Sequence, residues 1–162
     1  MLGYTRAMRL LGRKPTRPLA FGAVLLALSY GCGKDAPTDE ELLEQFVKDV
    51  TGTVDDGLLT RAVGYTALDE LPIDVRVPNQ QGVYRADRSA ELLGRFREEM
   101  HRHFGGTELN LRRHTIKIDG DHAEVGMRLM TARGPIQADV GLKKLAAGWR
   151  VDKVHAQPTG LF

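Results

Sequence analysis

Few side chains in this chain of 162 residues are reactive by type: one cysteine, Cys32, five histidines and a handful of tyrosines. A single cysteine closes no intramolecular disulfide and supplies neither a Cys-based zinc knuckle nor a CxxC redox pair. His101 and His103 stand two apart, about 200° around a helix, so they cannot chelate one ion together. Helical metal ligands recur at i, i+3 or i+4, and that spacing does not occur here. The sequence holds no GxSxG elbow, phosphate loop or dinucleotide fingerprint, so neither a metal nor a cofactor is assigned. Tyr65 precedes Asp69 and Asp74 closely, and by themselves these residues read as an amphipathically packed phenol beside a solvated turn at Asp69 and Glu70. Arg112, Arg113, Lys117, Arg128, Lys143, Lys144 and Lys153 give the last third a basic cast. They suit anionic headgroups or an acidic partner, or else form a solvated face.

The elements that would position these residues begin with an address. Residues 1–31 carry five cations and no acid, and end in an apolar run over 19–29. Eleven helical residues span about 16 Å, half of a ~30 Å hydrocarbon core, so the run is no membrane span. A basic region, a short apolar stretch and a small residue before a cut are the anatomy of a secretory signal. The alternative is a buried helix that a lone cysteine follows. The formal charge of +2 changes meaning accordingly. Without the first segment the chain is −3, split between −8 over residues 34–74 and +5 over 75–162. A pI near 8.8 would suggest nucleic acid, but no basic run interleaved with aromatics remains, and nucleic acid is excluded as a partner.

Thr38 followed by Asp39, Glu40 and Glu41 is a capping-box pattern. Leu42, Leu43, Phe46, Val47 and Val50 then recur at helical spacing. Thr53 or Asp56 opens a second short helix that Gly64 closes. Ile73, Val75 and Val77 alternate as a short strand, and residues 79–82 read as a loop. Asp87 caps a third helix with the stripe Leu92, Leu93, Phe96, Met100 and Phe104, stopped by Gly105 and Gly106. Four strands follow, over 108–118, 122–131, 136–145 and 149–156, joined by hairpin-length turns. In the first of them the apolar parity slips between Leu111 and Ile116, which predicts a β-bulge within 112–115. Helices followed by a four-stranded antiparallel meander make an α+β domain, with helices on one sheet face.

Two resemblances add to this reading. Leu28-Ser29-Tyr30-Gly31-Cys32 resembles a bacterial lipoprotein signal with its lipobox. That likeness implies cleavage between Gly31 and Cys32, acylation of Cys32, and a membrane anchor of two or three chains. Gly33 is similar to an outer-membrane sorting residue, which implies the periplasmic face of that membrane in a Gram-negative cell. The expected organisation is a signal over 1–31, a lipidated tether over 32–37 and one domain over 38–162. Gly120-Asp121-His122-Ala123-Glu124-Val125 and Gly148-Trp149-Arg150-Val151-Asp152-Lys153-Val154 resemble turn and strand signatures of the nuclear transport factor 2-like (cystatin-like) superfamily. These are scaffold features. They imply a curved sheet wrapped into a cone around a long helix.

Members of that superfamily include isomerases, dehydratases and cyclases besides many binding domains, so fold does not decide function. For an isomerase the resemblance points to Tyr65 with Asp69 or Asp74. For a dehydratase or cyclase it points to Asp139 with His114 or His155. Asp139, however, alternates against Ile136, Ala138, Val140 and Leu142, which places it away from that apolar stripe. The expectation is therefore a lipid-anchored envelope protein with a non-catalytic domain binding a small apolar ligand or a protein partner. A cofactor-free lyase or isomerase on a hydrophobic carbonyl compound, and a structural homodimer through the sheet, are the alternatives.

Overall fold

The computed structural model of the chain describes residues 36–160. The signal, the cleavage site at Gly31 and Cys32, and lipidation of Cys32 lie outside the described residues. Helix α1 (Asp39–Asp49) begins as its sequence predicts. The Thr38 hydroxyl accepts from the Glu41 N–H at 3.2 Å, and the Glu41 carboxylate accepts from the Thr38 N–H at 2.8 Å. Both contacts satisfy donors that a helix start leaves orphaned. Leu43, Phe46 and Val47 are its buried stripe. Strand β1 (Gly52–Thr53) is followed by α2 (Asp56–Gly64). Its cap is Asp55, whose carboxylate accepts from the Leu58 N–H at 2.7 Å, rather than Thr53 or Asp56.

The stretch expected as a loop is half of a hairpin. Strand β2 (Ile73–Val77) turns through Pro78 and Asn79 into β3 (Gln80–Tyr84). Gln80, Gln81 and Gly82 show no apolar alternation; the backbone ladder to β2 makes them a strand. A 3-10 turn (Ala86–Arg88) leads into α3 (Ser89–Phe104), so Asp87 lies within the turn and caps nothing. Then come β4 (Glu108–Asp119), β5 (His122–Thr131), β6 (Gly134–Leu145) and β7 (Gly148–Pro158).

The four long strands form the expected meander, but the sheet is larger than four and is not wholly antiparallel. Its seven strands run in the order β1-β4-β5-β6-β7-β2-β3, with β2 parallel to β7. That pairing joins Asp74 to Lys153 and Arg76 to His155, across some eighty residues that no local pattern connects. The β4 ladder slips between Leu111 and Arg113, so the extra residue is Arg112, inside the window where parity broke. A second slip falls where Gly141 pairs with Lys153 and Leu142 with Val151, leaving Asp152 over. Each bulge bends its strand while keeping apolar residues on one face.

That face carries the helices. Its core joins Leu43, Phe46 and Val47 to Val125, Met127, Val140, Leu142, Trp149 and Val151. Burying each large side chain contributes roughly 1.5–3 kcal/mol before ordering costs. A second cluster joins Val54, Leu58, Leu59 and Leu109, with Phe96, Met100 and Phe104 packed on it.

Candidate functional site

On the helix-covered side, Phe46, Val125, Met127, Leu142 and Trp149 belong to the main core. Among the described residues, the buried set holds one polar side chain, Thr131. Its hydroxyl donates to the Gly134 carbonyl at 2.9 Å and accepts from the Arg133 N–H at 3.1 Å. Tyr65 follows α2, half-buried, with its ring 4.9 Å from that of Phe46 and nearly perpendicular to it. Its hydroxyl donates to the Asp49 carboxylate at 2.7 Å, which also accepts from Gln45 at 2.9 Å. Burial, and then that carboxylate, hold the phenol above its ordinary pKa, in its protonated form. Tyr65 is thus bonded to Asp49 and not to either carboxylate expected for it. Asp69 is exposed in a turn, and Asp74 meets Arg76 at 3.0 Å in the β2–β3 hairpin. The pairing ties α1 to the segment after α2.

Two more polar contacts fasten α1 to the sheet. His114 Nε2 lies 2.8 Å from Glu44 Oε1. Asp39 accepts from Lys144 Nζ at 2.8 Å and from Trp149 Nε1 at 3.0 Å. Lys144, then Trp149, lower the Asp39 pKa below the ordinary carboxylate value. This corrects the basic patch: Lys144 faces α1 and is neutralised there.

The register separates the two histidines offered to Asp139. His114 pairs with Met127, whose side chain is buried, and reaches α1. Asp139 pairs with His155 on the opposite face. One row crosses the outer face through Thr115, Gly126, Asp139, His155 and Arg76. The next crosses through Lys117, Glu124, Gly141, Lys153 and Asp74. Two glycines, one in each row, leave a depression of about 240 Å³. Thr115, Lys117, Glu124, Asp139, Lys153 and His155 surround it. A Cβ on Gly126 would stand 2.9 Å from Thr115 Oγ1 and 3.3 Å from Asp139 Oδ1. One on Gly141 would stand 2.6 Å from Asp152 Oδ1. Glycine at these places lets polar side chains lean over the backbone. The Gln137 amide donates to Asp139 at 3.1 Å.

This groove was not read from the sequence, although a signal existed. Gly126 interrupts the alternation of β5 at an outward position, and Gly141 follows Val140 in β6. Of the expected cations, Arg113 and Arg128 are register partners, Lys117 faces Glu124, Lys143 faces His122 and Arg150, and Arg112 is the bulge residue. The two helical histidines point apart, His101 toward Asp56 at 3.1 Å and His103 toward Glu99 at 3.0 Å.

No protein-family model matches the sequence, and no curated protein matches it. Solved structures are similar in fold. A DUF4783 family protein from Bacteroides ovatus aligns at a TM-score of 0.52 and 10% identity, over 80% of this chain and 100% of that one. A candidate ketosteroid isomerase from Shewanella frigidimarina aligns at 0.54 and 17%, over 74% and 94%. A nuclear transport factor 2-like protein of unknown function from Pseudomonas putida aligns at 0.54 and 16%, over 73% and 82%. Identities this low carry the architecture and none of the chemistry. The described residues have the nuclear transport factor 2-like α+β fold, with three α-helices and a seven-stranded mixed sheet among them.

Proposed function

We propose that the chain is an exported envelope protein, anchored through acylated Cys32, whose domain binds a protein partner on the outer face of its sheet and carries out no catalysis. The observation that supports the binding half is the burial of the core side chains on the helix-covered face. Phe46, Val125, Met127, Leu142 and Trp149 occupy it, each no more than 3% exposed. Tyr65, the phenol best placed to serve an oxyanion, is committed to Asp49. The outer groove offers Thr115, Glu124, Asp139, Lys153 and His155, which suit a polar partner better than an apolar ligand. The anchoring half rests on the apolar run and Cys32 that follows it.

Labelling with radioactive palmitate tests the anchor. The native chain should carry label and sediment with membranes, and Cys32→Ala should lose both; a labelled, membrane-bound alanine variant would sink the claim. Native mass spectrometry of the detergent-solubilised chain tests the binding half. A retained protein that is lost on Gly126→Trp is the expected result. A retained small apolar molecule would refute the outer-face reading.

A further inference from the structure

Strand β4 has an open edge. Of its twelve residues only Glu108 and Leu109 pair with β1, and β5 takes the opposite side. Residues 110–119 therefore present a row of outward N–H and C=O groups that no strand among the described residues meets. Such an edge is a template for another strand. Two copies of it do not suit each other. Antiparallel pairing centred on Thr115 would set Arg113 against Lys117 twice over, and directly opposed like charges destabilise a ladder.

The side chains along the edge define what does suit it. On the outer face stand Arg113 and Lys117, with Arg128 beside Arg113 on β5. None of these, nor Arg112, has a carboxylate within ion-pairing distance among the described residues. By contrast, Arg61, Arg76, Arg88, Arg95 and Lys144 each have one, and Arg102 has two. On the other face the same strand offers Ile116 and Ile118, the latter 42% exposed. Arg113 and Lys117 flank Thr115 on the outer side, with Asp119 beyond them, while Ile116 and Ile118 follow His114 on the other, so the cations and the branched apolar side chains point to opposite faces.

We infer that the β4 edge is a docking site for an extended, acidic segment of a partner protein, which adds to the sheet as an eighth strand. The segment alternates carboxylates, set over Arg113 and Lys117, with apolar residues set over Ile116 and Ile118. Backbone hydrogen bonds supply affinity and the alternating side chains supply selection, as in other strand additions. The cations that keep two copies apart are those that select an acidic guest. The inference rests on the partner-binding reading and adds to the outer-face groove a second surface, the β4 edge, with the chemistry of the segment it takes.

The test uses the full lipidated chain in detergent and two fluorescent nine-residue peptides, one alternating glutamate with valine, its twin alternating lysine with valine. Anisotropy should show the acidic peptide binding at least about tenfold more tightly, with the preference fading as salt screens the charges. Amide hydrogen exchange should slow along residues 113–119 when it binds. The double variant Arg113→Glu, Lys117→Glu alters only exposed positions and should invert the preference toward the lysine peptide. Equal binding of the two peptides, or no binding of either, would overturn the proposal. Protection that appears over Gly126 and His155 instead would overturn the edge while leaving a partner-binding domain standing.

Discussion

Tyr65 shows how a residue of catalytic type becomes structural. A phenol that donates to the Asp49 carboxylate holds two segments together, and its ring packs edge-on to Phe46. Burial and the Asp49 carboxylate raise its pKa above the ordinary 10.0. A raised value in the folded state means stability that is present in full below the ordinary phenol value. It is lost as pH climbs from there toward the folded one. Tyr65→Phe should therefore cost about 1 kcal/mol at neutral pH, a modest figure because the contact is partly solvated. Urea titrations from pH 7 to 11 should show the variant losing less stability than the native chain above about pH 10. Parallel alkaline limbs would mean that the hydroxyl does not titrate with folding.

At the scale of elements, α1 is where local and long-range order meet. Its capping box starts the helix, and Asp39 in that first turn grips Lys144 and Trp149 from two strands. Thr38→Ala should cost about 1 kcal/mol in urea unfolding, the usual worth of a lost N-cap. No change would show that the Asp39 contacts hold the turn alone. The bulge at Arg112 works on the same scale. Leu109 and Leu111 before it, and His114, Ile116 and Ile118 after it, all stay on the helix-covered side of β4 because one extra residue absorbs the parity change. The same bulge leaves the edge of β4 bent and cationic.

Across the whole molecule the two sheet faces divide the work. Met127, on the helix side, is 3% exposed in the main core, whereas His155 borders an open groove. Met127→Ala should cost about 2–5 kcal/mol, and His155→Ala should stay within about 0.5 kcal/mol while weakening partner capture. Equal thermal shifts for the two would contradict this division of faces. Strong periodicities made the helices and the four long strands legible, since alternation over ten residues and a capping box are local physics. The bulge was legible for the same reason, as a slip in parity between Leu111 and Ile116. The hairpin's second strand was not, because Gln80, Gln81 and Gly82 become a strand only through partners. Neither was the groove, whose residues come from four strands and whose floor is an absence of side chains at Gly126 and Gly141. The sequence by itself determined the three helices, the strand at 73–77 and the four long strands, their order, and the candidate anchor at Cys32. Tertiary structure alone decided that Tyr65 serves Asp49, that Lys144 leaves the basic face, and that Asp139 shares a face and a register position with His155 and not with His114. Cross-strand register is set by contacts distant in sequence, and a single bulge decides to which face every later residue points.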